Sequence, residues 1–361
     1  MSSSGAFGPT HGRGAIGNPE SRYARTQSDP FDDGWPASEA EPPPRLRTEL
    51  HLDSARTVIS RNDSPDLGFD RSINPYRGCE HGCIYCYARP SHAYLGLSPG
   101  LDFETQIYHK PQAPQLLAAE LAKRGYRCAP IALGANTDPW QPVERRLQIT
   151  RGILQVLQSW GHPVSIVTKS ALIERDLDLL APMAEQGLVS VVFSFTTLRH
   201  PLARKLEPRT TAPLRRLQAV VTMARGGVPV GVFVAPVIPG LTDEEMETVL
   251  SRARDAGASW AHYTLLRLPR ELVSLFQEWL QAHYPERSER IWALITDTHG
   301  GKLYDARFQV RQQGSGAVAS LLAQRFRLAC RRLGLAPHGP SLNCDRFGPP
   351  DDGSPRQLDL L

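Results

Sequence analysis

The sixteen residues Asn74-Pro-Tyr-Arg-Gly-Cys-Glu-His-Gly-Cys-Ile-Tyr-Cys-Tyr-Ala-Arg89 hold three of the six cysteines in the chain. Cys79, Cys83 and Cys86 follow the spacing C-x3-C-x2-C, and Gly78 and Gly82 allow the backbone to turn tightly. In a chain without a secretory signal, so tight a group of cysteines is typical of a metal site. Thiolates are the usual ligands of iron–sulfur clusters, and three of them leave one iron of a four-iron cluster without a protein ligand. Because a catalytic metal site needs such an open position, the stretch predicts a catalytic [4Fe–4S] centre.

Structural zinc is the alternative interpretation of the same cysteines. Zinc normally takes four ligands, and His81 or His92 could supply the fourth. No second cysteine pair follows at the spacing of a zinc finger, which disfavours this alternative. Two hypotheses therefore stand at this point: an enzyme, and a zinc- or cluster-stabilised nucleic-acid-binding module without catalysis.

Composition narrows the class of protein only broadly. The chain has 361 residues, of which 41% are hydrophobic and 22% charged, as expected of a globular protein with a substantial core. Its net charge of +4 is too mild to indicate a nucleic-acid partner by itself. No run approaches the roughly 18 apolar residues of a membrane span, and the N-terminus lacks the apolar segment of a secretory signal. We therefore expect a cytoplasmic protein with no membrane association.

The pattern along the chain predicts one α/β unit with less regular ends. Residues 1–45 are rich in Ser, Gly, Pro and Arg and predict a flexible, disordered N-terminal arm, and residues 348–361 predict a tail. Between them, short apolar runs alternate with helical patterns. The predicted strands are 72–76, 131–133, 164–167, 189–193, 230–234 and 260–263, and the predicted helices between them are 112–123, 143–160, 173–186, 213–225 and 242–256. Thr242 and Glu245 form a capping-box pattern at the start of the last helix.

Nearly continuous apolar strands favour a parallel sheet covered by helices. Six β/α units are fewer than the eight of a closed barrel. Further helical patterns at 272–283 and 318–333 come after the last strand. We therefore predict a partial barrel over residues 60–285 and a C-terminal helical extension over residues 286–347. Ligands of such folds bind at the carboxyl ends of the strands.

The cysteine motif, with Tyr85 as the aromatic residue before Cys86, resembles the signature of the radical S-adenosylmethionine (SAM) superfamily. The stretch from Arg77 to Arg89 is also similar to the subgroup around spore photoproduct lyase, called DNA repair photolyase-like. The resemblance continues through four later motifs, at residues 136–139, 168–170, 206–209 and 235–240, and covers roughly residues 60–285. It implies a partial (β/α)6 barrel whose three cysteines hold a [4Fe–4S] cluster.

The same resemblance implies the activity and its cofactors. The cluster binds S-adenosylmethionine and cleaves it reductively to methionine and a 5′-deoxyadenosyl radical, which abstracts hydrogen from a substrate. A low-potential electron donor such as flavodoxin or ferredoxin is the implied protein partner. The substrate is not identified by the motifs, and a nucleic acid, a peptide or a small metabolite would each be compatible.

Polar residues at the strand ends are the candidate SAM contacts. By resemblance, Lys169 pairs with the methionine carboxylate, Ser194 contacts the carboxylate or the ribose, and a polar residue near Thr137 contacts the amino group. Tyr85 is placed to stack on the adenine. The alternatives are a strand-end lysine at the surface for Lys169, local backbone hydrogen bonds for Thr137 and Ser194, and core packing for Tyr85.

One departure from the family pattern separates radical formation from photoproduct repair. Spore photoproduct lyase uses a cysteine near the end of its second barrel strand as a hydrogen-atom donor. The corresponding stretch here, residues 134–137, contains no cysteine, and Cys128 precedes the strand. Repair of a DNA photoproduct by that mechanism is therefore disfavoured.

Overall fold

A computed structural model of the chain describes residues 12–23, 46–308 and 310–350. These described residues contain ten strands. They are β1 (Glu49–Leu52), β2 (Ile59–Arg61), β3 (Arg71–Ile73), β4 (Tyr76–Arg77), β5 (Gln106–His109), β6 (Ile131–Leu133), β7 (Val164–Thr168), β8 (Val189–Phe195), β9 (Val230–Val237) and β10 (Trp260–Leu265).

The same residues contain twelve α-helices. They are α1 (Asp102–Thr105), α2 (Ala113–Leu121), α3 (Glu144–Leu147), α4 (Ile149–Ser159), α5 (Leu177–Glu185), α6 (His200–Leu206), α7 (Pro213–Arg225), α8 (Met246–Asp255), α9 (Leu272–His283), α10 (Ser288–Asp297), α11 (Val310–Gln313) and α12 (Gly316–Leu333). No helix among the described residues is both long and apolar enough to span a membrane.

The main sheet confirms the predicted α/β architecture. Its seven strands lie in the order β10-β9-β8-β7-β6-β3-β2. Strand β2 pairs antiparallel with β3, and the other six strands run parallel. These six parallel strands, with helices between them, correspond to the predicted partial (β/α)6 barrel, and helices α9 to α12 follow the last strand.

Apolar residues on the strands explain why this sheet is buried. Ile166, Val191, Phe193 and Val232 are fully shielded from solvent. Each fully buried side chain of this size contributes about 1.5–3 kcal/mol relative to an exposed one. The continuous apolar runs are therefore consistent with a parallel sheet packed between helices.

Three predicted helices differ in detail from the structure. The helix predicted over 143–160 is divided into α3 and α4 at Gln148, whose φ is +52°. The helix predicted over 173–186 begins as a 3-10 turn at 171–176 before α5. The capping box at Thr242 is wrong, because the Thr242 hydroxyl accepts from the Ile238 amide and α8 starts only at Met246.

A second sheet was not predicted. It has three strands in the order β1-β5-β4, with β1 and β5 parallel and β4 and β5 antiparallel. These strands are two to four residues long, too short for a recognisable periodicity. The sheet lies beside the cysteine stretch, since β4 ends two residues before Cys79.

The predicted flexible arm is wrong for residues 12–23, which pack against the folded body. Ala15 is fully buried, and Arg13 and Ser21 are nearly so. The other arm residues, 1–11 and 24–45, lie outside the described residues. At the other end, the Gly348 amide donates to the Trp160 carbonyl, so the first residue of the predicted tail contacts the body, and residues 351–361 lie outside the described part.

Candidate active site

The three cysteines lie on one loop after β3 and β4, at the carboxyl end of the parallel sheet. Gly78 and Gly82 have φ values of +78° and +66°, which only glycine adopts readily. The Cys83 carbonyl accepts from the Cys86 amide, and the Cys79 carbonyl accepts from the Gly82 amide. The segment 78–89 is called the cysteine loop below. Its turns bring the three free thiols together on a short piece of chain.

The environment of these thiols fits ligands of an iron–sulfur cluster. Cys79 and Cys83 are each less than a tenth exposed. Burial raises the pKa of the Cys83 thiol to about 12 and that of Cys79 well above its usual value. A bound cation is what lets buried thiols lose their protons. Among the described residues, no group of three Cys, His, Asp or Glu side chains is arranged to hold a single metal ion. A four-iron cluster does not require such a group, because each of its ligands binds a different iron.

A fully buried ion pair holds the cysteine loop in shape. Arg89, the last residue of the loop, contacts the Glu104 carboxylate at 2.5 Å, and neither side chain is exposed. The same guanidinium donates to the carbonyls of Cys83 at 2.9 Å and Gly82 at 3.1 Å. It also donates to the carbonyls of Pro99 and Gly100. The Arg89 guanidinium therefore links two carbonyls of the cysteine loop to two carbonyls of the segment at residues 99–100.

The N-terminal residues 12–23 cover the same part of the loop. The amides of Gly14 and Ala15 donate to the Glu104 carboxylate at 3.0 and 2.8 Å. A Cβ atom on Gly14 would lie 1.8 Å from the Gly82 carbonyl oxygen, so only glycine permits this approach. The composition of this stretch predicts disorder. No local sequence pattern indicates the contacts with Glu104, because Glu104 lies some 90 residues away in sequence.

On the opposite side of the site, three of the four predicted SAM contacts lie together. The Lys169 Nζ donates to the Ser194 Oγ at 3.0 Å. It also lies 5.7 Å from the centre of the Tyr85 ring. Strands β7 and β8 bring Lys169 and Ser194 together, because they are parallel neighbours with Thr168 paired to Phe193. The structure thus joins the cysteine loop to the strand ends through Tyr85.

The fourth predicted residue, Thr137, is not in contact with those three. Its hydroxyl donates to the Tyr76 carbonyl at 2.8 Å, and its side chain is buried. This bond satisfies a backbone carbonyl, as in the alternative interpretation, but Tyr76 lies 61 residues away in sequence, so the bond is not a local one. Ser194 also makes such a bond, to the Ala235 carbonyl at 3.2 Å.

Two further charged residues complete the strand-end side. The Glu207 carboxylate accepts from the hydroxyl of Tyr85 and from the Arg216 guanidinium at 2.7 Å. Both charged side chains are fully buried. Burial raises the pKa of Glu207, but Arg216 and Lys169 together leave that pKa below its usual value. The carboxylate is therefore ionised, and it fixes the Tyr85 ring through its hydroxyl.

Glu207 and Arg209 lie two residues apart in the motif at residues 206–209, where a carboxylate and a guanidinium could pair with each other. The structure pairs Glu207 with Arg216 instead, while Arg209 contacts Glu80 at 3.0 Å. Nothing in the helical pattern of 213–225 distinguishes Arg216 as a buried cation. Position 216 lies on the apolar face of α7, next to Leu217 and Val220. This position on the apolar face is the sequence feature that could have indicated a buried arginine.

Asp138 ties the two sides of the site together. Its carboxylate accepts from the Thr168 hydroxyl at 2.8 Å and from the Lys169 amide at 2.7 Å. It also lies 3.5 Å from the His81 Nδ1 on the cysteine loop. Burial lowers the pKa of His81, which keeps that ring neutral near pH 7. Asp138 therefore fixes the backbone that carries Lys169.

Exposed tyrosines paired with arginines lie beside the site. The Arg267 guanidinium lies 4.6 Å from the centre of the Tyr87 ring, next to Cys86. Arg22 lies 4.8 Å from Tyr23 and 5.3 Å from Tyr94. These three tyrosines are about half exposed or more, at 47%, 51% and 67%. We call these five residues the Arg–Tyr surface.

Comparison with known proteins identifies the class to which this fold and loop belong. The family model of the radical SAM superfamily matches residues 73–253, half of the chain. The chain belongs to the radical SAM superfamily, whose cofactors are a [4Fe–4S] cluster and S-adenosylmethionine.

Two relatives share part of the sequence, and a solved structure shares the fold. An uncharacterized protein of Mycobacterium tuberculosis is 39% identical over 226 residues, which are 62% of this chain and 66% of the relative. The match thus spans slightly under two thirds of that relative. An uncharacterized protein of Methanocaldococcus jannaschii is 26% identical over 61% of this chain and 78% of the relative. Spore photoproduct lyase complexed with dinucleoside spore photoproduct has the same fold, with a TM-score of 0.56, 17% identity, and coverage of 79% of this chain and 80% of the other.

Proposed function

We propose that this chain is a radical SAM enzyme whose cluster is held by Cys79, Cys83 and Cys86. When bound, the cluster and S-adenosylmethionine supply reductive cleavage to methionine and a 5′-deoxyadenosyl radical, which abstracts hydrogen from a substrate. The observation that carries the proposal is the contact between the two sides of the site. The loop residue Tyr85 lies against Lys169, and Lys169 contacts Ser194.

The charges at the strand ends suit a ligand that carries a carboxylate, an ammonium group and a ribose. Lys169 would pair with the carboxylate, and its present partner, the Ser194 hydroxyl, would remain as a neighbouring donor. Tyr85 would provide a ring surface whose orientation is fixed by Glu207. Thr137 is proposed to act near the amino group, although its hydroxyl would first have to leave the Tyr76 carbonyl.

Repair through a cysteine hydrogen donor is not part of this proposal. A Cβ atom on Gly134 would lie 2.1 Å from the Val167 carbonyl oxygen, so position 134 has no room for a side chain. Cys128 lies three residues before β6 begins, at the amino end of that strand. The hydrogen-atom chemistry of this chain would therefore differ from the photoproduct mechanism.

A nucleic acid is the substrate class that we favour. Nucleic-acid-binding surfaces that lack base-specific hydrogen bonds use exposed aromatic rings for stacking and arginines for the backbone. The Arg–Tyr surface offers both rings and arginines, and its Tyr87–Arg267 pair lies next to Cys86, while Arg22 also pairs with Glu271. A structure of spore photoproduct lyase that contains a dinucleoside photoproduct lends further support. A binding module without catalysis would not need the partly buried Lys169–Ser194 contact.

The protein partner in this proposal is a low-potential electron donor such as flavodoxin or ferredoxin. We also propose a cytoplasmic location. All six cysteines are free, as expected in a reducing compartment.

Anaerobic reconstitution tests the proposed function. We expect wild-type protein to bind about four irons with labile sulfide and, with dithionite, to release 5′-deoxyadenosine from S-adenosylmethionine. Cys83→Ala should lose both properties, and Cys128→Ala, at the far end of β6, should keep them. One zinc per chain without labile sulfide, or cleavage by Cys83→Ala, would contradict the proposal.

A further inference from the structure

Two adjoining cavities form a groove beside the cysteine loop. Their volumes are about 510 and 360 Å3. His81 lines the first cavity, Glu80 lines the second, and Pro142, Arg145 and Arg209 line both. We call this the arginine groove.

Positive charge dominates the arginine groove. Five arginines line it against two glutamates: Arg145, Arg146, Arg175, Arg209 and Arg215, against Glu80 and Glu174. Each glutamate is already paired, Glu80 with Arg209 and Glu174 with Arg215. Arg175 is held by the buried carboxylates of Glu144 and Asp176 beneath it.

The uncompensated charge comes from Arg145 and Arg146. Both are exposed, and within the described ranges neither makes an ion pair. They are neighbours on the short helix α3. A surface that carries two free cations attracts a partner with acidic groups and speeds its association.

The groove is also in direct contact with the residues between two of the proposed cluster ligands. Glu80 and His81 are two of the three residues between Cys79 and Cys83. The Glu80 amide donates to the Gln141 side chain at 2.9 Å, and the Arg209 amide donates to the His81 carbonyl at 3.3 Å. A partner seated in the groove therefore faces the cysteines across a single stretch of loop.

The arginine groove differs from the Arg–Tyr surface in the feature that nucleic acids need. The aromatic rings that line it, Trp140 and His81, are only 1% and 3% exposed, and Trp140 also donates to Asp176. Bases therefore find no ring to stack on in the groove, whereas Tyr87 and Tyr94 are available on the other surface. Charge combined with proximity to the cysteines favours an electron-carrying protein over a nucleic acid.

We propose that the arginine groove is the docking surface for a small acidic one-electron donor protein of the ferredoxin or flavodoxin type. This inference rests on the proposed function, since the electron is needed for reductive cleavage. In the transfer, the donor is oxidised by one electron and the cluster is reduced by one electron. No covalent bond forms or breaks in that step.

The test compares two double charge reversals in the full-length protein. R145E/R146E alters the groove, and R331E/R332E alters two exposed arginines at the end of α12 as a matched control. Affinity for an acidic ferredoxin is measured by calorimetry at low and high salt, with both cluster-free and reconstituted protein. Reduction of the cluster is followed by stopped-flow absorbance, with pre-reduced ferredoxin or with dithionite.

The groove variant should bind ferredoxin on the order of tenfold more weakly at low salt, and cluster reduction by ferredoxin should slow by a similar factor. The wild type should lose affinity as salt rises, because exposed charges are screened. Reduction by dithionite should be unchanged in both variants, and R331E/R332E should bind ferredoxin like the wild type.

Three results would overturn the docking assignment. The first is equal ferredoxin affinity in the wild type and R145E/R146E. The second is absence of salt-dependent wild-type binding to both an acidic ferredoxin and an acidic flavodoxin. The third is that R145E/R146E binds a single-stranded oligonucleotide more weakly than the wild type but binds ferredoxin equally well. That result would show that the groove binds nucleic acid. If the protein holds no cluster at all, the proposed function fails, while the affinities of cluster-free protein still decide the docking surface.

Discussion

The strand-end side of the site and the cysteine-loop side are held in place by different interactions. Lys169 and Ser194 follow or end neighbouring parallel strands, so the backbone ladder of β7 and β8 sets their separation. The cysteine loop has no such ladder along its length and depends on the buried Arg89–Glu104 pair. Changes on the loop side should therefore disturb the fold, and changes at the strand ends should chiefly disturb ligand binding.

Arg89→Met should have the largest effect on stability. It removes the cation that binds two carbonyls of the cysteine loop and those of Pro99 and Gly100, and it leaves the Glu104 carboxylate buried without its counter-charge. Breaking a buried ion pair from one side costs about 3–5 kcal/mol. Urea denaturation of cluster-free protein measures the free energy of unfolding. The double variant R89M/E104Q should recover part of the loss, and a single-variant loss below about 1 kcal/mol would show that the pair does not hold the loop.

Glu207→Gln should have the next largest effect on stability, because it leaves Arg216 buried without its counter-charge. We expect a loss of about 2–3 kcal/mol at pH 7. Burial raises the pKa of Glu207, but Arg216 and Lys169 lower that pKa by more, so it ends below the usual pKa of a glutamate. The additional stability of the wild type over Glu207→Gln is therefore fully present above about pH 4.5, near the pKa of an unfolded glutamate. It is lost as pH falls through the pKa of Glu207 in the folded state.

Melting temperatures of the wild type and Glu207→Gln across pH test this linkage. The difference between them should be constant from pH 7 to about pH 5 and shrink at lower pH. A difference that grows on acidification would mean that the folded-state pKa of Glu207 is raised rather than lowered.

Gly14→Val should have a smaller effect, confined to the N-terminal residues 12–23. The new side chain would collide with the Gly82 carbonyl and separate the Gly14 and Ala15 amides from Glu104. Losing two hydrogen bonds to a charged group costs on the order of 2 kcal/mol in total. Hydrogen exchange should show faster exchange in residues 12–23 and in the cysteine loop. Gly68→Ala is the control, since nothing lies near its position. Unchanged exchange in Gly14→Val would show that residues 12–23 do not stabilise the cysteine loop.

Lys169→Met should change stability least, by less than about 1 kcal/mol, because its ammonium group is half-buried and its partner is a neutral hydroxyl. The affinity of reconstituted protein for S-adenosylmethionine should fall by about tenfold or more, since a charge-assisted bond to the carboxylate is lost. Equilibrium dialysis measures this affinity, and Lys169→Arg should retain part of it. Unchanged affinity in Lys169→Met would favour the interpretation of Lys169 as a strand-end lysine.

The same contrast explains how far the sequence could predict the molecule. Five of the six parallel strands follow from apolar runs, and the shared direction of β7 and β8 brings Lys169 and Ser194 together. The strand predicted over 72–76 is instead divided between β3 in the main sheet and β4 in the second sheet. The contacts of Glu104 with residues 14 and 15 join segments about 90 residues apart, in a stretch whose composition suggests disorder. Burial of Arg216 likewise depends on a partner from another element. Periodicity and composition are local properties, so they do not reveal charges that become buried only in the folded chain.

Electron paramagnetic resonance of the reconstituted, dithionite-reduced protein tests most directly whether the cysteine loop and the strand ends form one site. The account predicts a [4Fe–4S] signal in the wild type that changes when S-adenosylmethionine is added. In Lys169→Met the same signal should be present, and the change on addition should require a much higher concentration. A wild-type signal that S-adenosylmethionine leaves unaltered would contradict the account, as would the absence of any cluster signal.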